Sequence, residues 1–262
     1  MKKLATAFVA LALFIAASNA HAVTVSVTYK TNALTNIKKE KGEILQASAT
    51  FVVSNLQLFV TLSNTGTVVP KSPGDILTGV FFDIAGIQSL KPVSATVAPG
   101  SSVIGQRLPT GFDGNVGGEW AYKGDLVGAP AGDTYGISST KLSFFKTIDL
   151  FPGGKIRGTS PLSGAQFGIT TLDDLVPNKQ SGINKGLVRS AVVFVFNISG
   201  LPSDFTANDI KDVTFQYGTS IKSGLDITGQ MVAQIPEPST VTLIALGLVG
   251  ALALTRSRTP RR

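Results

Sequence analysis

Short β-type runs separated by turn-forming residues are the feature that most constrains the fold of this chain. Apolar and polar residues alternate in VTVSVTY (residues 23–29) and DVTFQYGTS (212–220), whereas LTGVFFDIAGI (77–87) and SAVVFVFNISGL (190–201) are nearly continuous apolar runs. Alternation indicates half-buried strands, and short continuous runs indicate strands at the centre of a sheet. No long run with the 3.6-residue period of an amphipathic helix occurs between them. The pattern predicts an all-β fold.

Turn signals place these strands in a compact domain. ASATFVVSNLQLFVTLSNTG (residues 47–66) predicts a hairpin of two strands around a turn at Ser54–Asn55. Gly, Pro, Ser and Asn are abundant between the runs, as the loops of a β-sandwich require. Residues 23–235, 213 in all, suffice for one well-buried core. We therefore expect a single-domain β-sandwich of jelly-roll or immunoglobulin-like type.

Helical structure is expected only as brief turns. In FTANDIKD (residues 205–212), the spacing of Thr206 and Asp209 fits a capping box. A second turn is expected in TLDDLVPNK (residues 171–179), where Pro177 would end it.

The first 22 residues have the layout of a secretory signal peptide, predicted as an N-terminal signal helix. A basic MKK is followed by the apolar LATAFVALALFIAA, and small residues stand at Ala20 and Ala22. This layout predicts cleavage by signal peptidase between Ala22 and Val23. An uncleaved membrane anchor is the alternative.

The other end of the sequence combines an apolar run with a basic cluster. Residues 241–254 are apolar or small apart from Thr242. Fourteen helical residues rise about 21 Å, less than the roughly 30 Å of a bilayer's hydrocarbon core, so a helix over residues 240–255 would barely span. The arginines that follow would stay cytoplasmic by the positive-inside rule. A simple anchor and a temporary sorting signal both fit; the basic cluster comprises Arg256, Arg258, Arg261 and Arg262.

Just before the apolar run stands PEPST, and the three parts together resemble the PEP-CTERM sorting signal. The matching positions are Pro236, Glu237, Pro238 and Ser239. The resemblance implies export by a Gram-negative bacterium, transient holding in the inner membrane, and processing by an exosortase, a membrane-embedded cysteine transpeptidase-like enzyme. It further implies delivery to the cell surface or extracellular matrix and association with exopolysaccharide in a biofilm. The expected organisation is a signal peptide (residues 1–22), a surface domain (23–235) and a sorting signal (236–262).

Several internal segments resemble parts of exosortase-dependent surface proteins, a group of secreted β-rich proteins. The segments are VFFDI, VGGEWAYKGDL, YGISS and TFQYGTS. This resemblance supports a β-rich architecture and transfers no enzymatic motif.

The two terminal segments account for most of the excess positive charge. The whole sequence carries 23 basic and 16 acidic residues, a formal net charge of +7. Six basic residues and Glu237 lie in the terminal segments, leaving 17 basic against 15 acidic residues and a charge near +2. The domain also lacks a glycine-rich phosphate loop and aromatic-basic interleaving, so nucleic acid is not an expected partner.

Cysteine is absent, and the only histidine, His21, lies in the predicted signal peptide. The domain therefore has no disulfide, no lipid-attachment cysteine and no Ser-His-Asp or Cys-His nucleophile system. Nearly all zinc and copper sites are excluded as well. We expect a non-enzymatic protein without a cofactor.

GFDGNVGGEWAYKGD (residues 111–125) contains the candidates for a ligand site. Trp120 and Tyr122 are two residues apart and would share a face of a strand. If exposed, they would form a stacking platform for sugar rings, with Glu119 among its polar contacts. This predicts a carbohydrate-binding module as an alternative function. Packing of Trp120 into the core is the other interpretation.

The same loop offers oxygen ligands for calcium at Asp113, Asn115 and Glu119, although their spacing does not follow an EF-hand. Turn formation and solvation explain these residues equally. A hydrolase that uses only Asp and Glu would need two carboxylates flanking the scissile bond. Adjacent Asp173 and Asp174 would point apart on a strand, and no local signature selects another pair.

Overall fold

The computed structural model describes residues 25–31, 45–67, 69–141, 149–156, 162–175, 186–219 and 225–232. Within these ranges the chain forms fourteen strands and four 3₁₀ turns of three residues each. The strands, numbered in chain order, are β1 (Val25–Thr31), β2 (Ala47–Ser54), β3 (Gln57–Asn64), β4 (Leu77–Ile84), β5 (Ser89–Val97), β6 (Ser102–Ile104), β7 (Ala121–Lys123), β8 (Tyr135–Ser138), β9 (Asp149–Leu150), β10 (Ile169–Thr170), β11 (Leu187–Arg189), β12 (Ala191–Ser199), β13 (Ile210–Tyr217) and β14 (Leu225–Val232). The predicted all-β class is confirmed.

These strands form one continuous sheet in the order β5-β12-β3-β2-β1-β14-β13-β4-β10-β11-β6, with β8, β7 and β9 branching from β4. The described pairs are antiparallel except β10 with β11. Because β14 pairs with both β1 and β13, the two layers are joined and the sheet is nearly barrel-shaped. The jelly-roll or immunoglobulin-like sandwich is not confirmed.

The predicted hairpin is β2 and β3, paired over eight positions from Ala47↔Asn64 to Ser54↔Gln57. Its turn residues are Asn55 and Leu56, one position later than expected. Both have positive φ, 51° and 60°, as the type I′ turn of a two-residue hairpin requires. The two apolar runs predicted to be central strands are β4 and β12, each flanked by other strands.

The core lies between the inner faces of the two layers and is rich in aromatic rings. Phe51 of β2 meets Phe82 of β4 with ring centroids 5.1 Å apart. Phe151 lies 5.2 Å from Phe194 and 5.1 Å from Phe196 of β12. These rings are almost completely buried, and each large apolar side chain removed from water stabilises the fold by about 1.5–3 kcal/mol.

The predicted helical turns are short. Ala207–Asp209 is a 3₁₀ turn in which the Thr206 hydroxyl donates to Asp209 Oδ2 at 2.9 Å, as the capping-box spacing predicts. At the second position the described residues form a single turn closed by Asp174 N donating to Thr171 O at 3.2 Å. The residues from 176 to 185 lie outside the described ranges.

No helix among the described residues has the length and apolarity needed to cross a bilayer. The predicted signal peptide and the sorting segment with its apolar run 240–255 fall outside the described residues.

Candidate functional site

The predicted stacking platform is not at the surface. Trp120 is 0% exposed and Tyr122 is 5% exposed. Trp120 packs edge-to-face on Phe194 at 4.9 Å, and Tyr122 packs on Phe196 at the same distance. The two rings therefore share a face, as their spacing predicts, but that face is the inner one. The expectation of an exposed platform is wrong, because β12 presents two phenylalanines that bury both rings.

Glu119 cannot serve as a surface contact either, since it is only 2% exposed at the end of the 3₁₀ turn Gly117–Glu119. Its backbone N–H donates to Val116 O at 3.0 Å. The tightness of the surrounding loop explains this burial. A methyl group on Gly117 would lie 2.2 Å from the carbonyl oxygen of Pro152, and one on Gly118 would lie 2.6 Å from that of Gly154.

Asp113 and Asn115 act as turn formers. Asp113 Oδ1 accepts a hydrogen bond from Asn115 N at 2.9 Å, and Asn115 Oδ1 accepts one from Gly117 N at 2.8 Å. Asn115 also forms an isolated bridge with Thr96, and Val116 N donates to Ala95 O at 2.9 Å. The loop is thereby fastened to the edge strand β5. Among the described residues, no group of three acidic or histidine side chains is arranged to hold a metal ion.

Two open clefts are lined by described residues. The first, of about 270 Å³, lies between residues 109–115 and 154–156 and contains Asp113 and Lys155. The second, of about 390 Å³, contains Asp173 and is lined by Ser48, Ser63, Asn64, Thr65, Gly66, Thr67, Leu172 and Ser190. Each cleft thus has a single carboxylate among its lining residues, whereas a glycoside hydrolase canonically uses two.

Asp173 and Asp174 are separated by the fold, as the sequence suggested. Asp173 is exposed, whereas Asp174 is 1% exposed and accepts a hydrogen bond from Thr170 Oγ1 at 2.6 Å. Asp174 therefore faces the interior. The two carboxylates do not form a pair in the cleft.

The sheet formed by β1, β2, β3, β12 and β5 has an outer face of unusual chemistry, here named the hydroxyl face. Strand register aligns its half-buried side chains in two cross-strand rows. One row consists of four threonines and a valine, and the hydroxyls of Thr28 and Thr50 in it are 2.9 Å apart. The other row has a serine at each end and two valines and a phenylalanine between them. The rows are Thr28, Thr50, Thr61, Val193 and Thr96, and Ser26, Val52, Phe59, Val195 and Ser94.

No charged residue occurs in either row, and the nearest lysines, Lys30 and Lys91, stand on the edge strands of this five-stranded layer. Solvated faces of antiparallel sheets are usually polar and often charged. The hydroxyl face instead offers methyl, aliphatic, phenyl and hydroxyl groups. Sequence reasoning missed it because the rows exist only once the register of five strands is known.

All four tyrosines have pKa values above the usual value for a phenol. Burial raises the pKa of Tyr122, and nearby Tyr135, Asp125 and Asp149 raise it further. Burial alone raises the pKa of Tyr217. The pKa values of Tyr29 and Tyr135 are also raised, by burial first and then by neighbouring carboxylates. None of these hydroxyls is poised to act as a base near neutral pH, since each shift favours the neutral form.

Residues 234–258 match the family model of the PEP-CTERM protein-sorting motif. The matched range begins two residues after Val232, the last residue of β14, and contains Pro236, Glu237, Pro238 and Ser239. No curated protein and no solved structure matches the chain. The motif supports an exported protein that is held transiently at the membrane, processed by an exosortase and sorted to the cell surface. The sequence therefore carries a PEP-CTERM protein-sorting motif over residues 234–258, which supports an exosortase-dependent sorting signal.

Proposed function

We propose that the β domain is a non-enzymatic component of the extracellular matrix that associates with exopolysaccharide after exosortase has removed the tail. The observation that carries this proposal is the sorting motif placed directly behind the last strand of the domain. Export and tail removal deliver a folded domain, with a net charge near +2, to a glycan-rich surface.

The hydroxyl face supports the association and commits it to an uncharged stretch of polysaccharide. Sugar rings present C–H patches flanked by hydroxyl groups. Phe59, Val52 and Val195 offer apolar area to the former, and the threonine row offers donors and acceptors to the latter. The two rows themselves contribute no positive charge to the binding of an anionic partner. The contact would extend over many residues, each of which would contribute little binding free energy.

A non-enzymatic role is supported by the composition and by the clefts. The domain contains neither histidine nor cysteine, and the two described clefts each present one carboxylate. A glycan-binding module built on Trp120 and Tyr122 is not proposed, because both rings are inside the core.

Cosedimentation of residues 23–235 with native exopolysaccharide from producing cells tests the proposal. A lysine at Thr61, in the middle of the hydroxyl face, should lower the retained fraction several-fold. A lysine at Val127, a loop residue that is 86% exposed, adds the same charge elsewhere and should leave retention unchanged. Far-UV circular dichroism verifies that both variants fold.

Three outcomes would overturn the proposal. Absence of wild-type retention would remove the association itself. Equal loss in the two lysine variants would show that the hydroxyl face is not the contact. Increased retention of Thr61→Lys would identify the glycan as anionic and the binding as simple charge attraction.

A further inference from the structure

We propose that the tip of the β2–β3 hairpin, Asn55–Leu56, touches the bilayer surface while the tail holds the protein at the membrane. The partner is the headgroup region of the lipid, and the contact ends when the tail is cut. This inference rests on the proposed role of the tail as a membrane-held signal. It adds the face of the domain that points to the membrane, which the sorting motif does not specify.

Leu56 is anomalous for its position. It is the second central residue of the hairpin turn, where φ is +60°. Glycine is the preferred residue there, because a side chain at positive φ is sterically disfavoured and a bulky one is rare. The Leu56 side chain is nevertheless 59% exposed and is not part of the hydrophobic clusters formed by the described residues. A residue that costs backbone strain and is left in solvent points to a function outside the fold.

The direction of β14 brings the tail toward this hairpin. Strand β14 runs antiparallel to β1 and ends at Val232, opposite Thr28. The first residues of β1 extend beyond this point toward the hairpin tip, where Val25 pairs with Val53. At Val232, β14 therefore points toward the end of the sheet where Leu56 lies. Met231 and Val232, 44% and 40% exposed, flank the exit.

The reach of the tail matches the height of the hairpin. Thr50 is level with Val232, and Leu56 follows Thr50 by six residues, past the end of β2 at Ser54 and into the turn, a rise of at most about 20 Å. The seven residues 233–239 precede the apolar run and span at most about 25 Å when extended. The segment is thus long enough for the apolar run to lie in a bilayer whose surface is near the level of Leu56.

Charges at this end of the domain are mixed. Lys91 and Lys211 are exposed there, as are Asp204 and Asp212. A balanced set of charges gives no strong attraction to anionic lipid. Contact therefore depends on the tether and on the exposed leucine, and the free domain should leave the membrane after cleavage. The cleft around Asp173, at the opposite end of the strands, would face away from the membrane.

The absence of cysteine allows a direct test with single labels. Asn55→Cys places a fluorophore beside Leu56, and Thr65→Cys places one in an exposed loop at the opposite end. The chain of residues 23–262 is reconstituted into phosphatidylcholine vesicles that contain headgroup spin-labelled lipid. We expect several-fold stronger quenching of the label at position 55. The same labels on residues 23–235 should show no difference.

Leu56→Gly in the Asn55→Cys background separates a membrane role from a structural one. Because glycine removes the strain, the midpoint of thermal unfolding should rise while quenching falls. Equal quenching of the two labels, or quenching unaffected by Leu56→Gly, would overturn the inference alone. Failure of the chain of residues 23–262 to float with the vesicles would overturn both the inference and the membrane role of the tail.

Discussion

The tail (residues 236–262) and the domain (residues 23–235) differ in whether their functional residues are consecutive in the sequence. The tail is recognised by a match over residues 234–258. The described residues of the domain form a hydrophobic core, but the candidate contact surface draws two residues from each of five strands. An enzyme that threads an extended peptide reads consecutive side chains, and prolines on both sides of Glu237 favour that extended form. A surface that contacts a glycan is read by shape, so its residues are scattered along the chain.

This contrast predicts that damage to the tail and damage to the domain have separate consequences. Glu237→Ala should nearly abolish release from the membrane, because a recognised carboxylate is lost. The unfolding of the domain should not change, since β14 ends at Val232. Membrane fractionation and chemical denaturation of the same variant measure the two effects. Unchanged release would show that Glu237 is not read by the processing enzyme.

Trp120→Ala should destabilise the domain without affecting recognition of the tail. Removing a fully buried indole that packs on Phe194 leaves a cavity and should cost about 3–5 kcal/mol of unfolding free energy. Processing of whatever fraction folds should continue. Phe59→Ala, on the half-exposed hydroxyl face, is the matched aromatic control and should cost about 1 kcal/mol. Equal costs in urea unfolding would contradict the assignment of Trp120 to the core.

High pH should unfold the domain while leaving the tail signal intact. The pKa of every tyrosine is raised above its usual value of 10.0, chiefly by burial. Stability from the neutral tyrosines is therefore fully present below pH 10 and is lost as the pH rises through the higher pKa values of the folded state. Tyrosinate absorbance should appear late and together with the loss of circular dichroism. Early, reversible titration of Tyr122 in a folded domain would be inconsistent with its burial.

Gly117→Ala tests the loop that carries Asp113 and Asn115. The added methyl group would meet the carbonyl oxygen of Pro152 at 2.2 Å, so the loop must shift at a cost of about 1–3 kcal/mol. Gly154→Ala is the matched control, because its methyl group would enter open space. Thermal unfolding of the two variants should differ accordingly. Equal midpoints would mean that the close packing of these loops is not required for stability.

Short sequence patterns predicted the parts of the fold that depend on a few neighbouring residues. The β2–β3 hairpin, the central strands β4 and β12 and the turn capped by Thr206 and Asp209 follow from short patterns. Even so, the hairpin turn lies one residue later than predicted. Leucine at position 56 gave no turn signal, since glycine is the residue usually found there.

Features that depend on pairing between distant strands could not be predicted from the sequence. The spacing of Trp120 and Tyr122 predicts a shared face, but only the placement of β12 decides that the face is internal. The same holds for the hydroxyl face, whose rows require the register of five strands. The joining of the two layers through β14 also depends on pairing between distant segments, so the sandwich type could not be deduced from strand patterns.

We infer that residues 236–262 are a temporary sorting signal and that the domain acts after their removal. Intact-mass analysis of the protein recovered from the cell surface or medium tests this most directly. The account predicts a chain that begins at Val23 and ends between Pro236 and Ser239. Recovery of a chain that still carries Arg256, Arg258, Arg261 and Arg262 would contradict it.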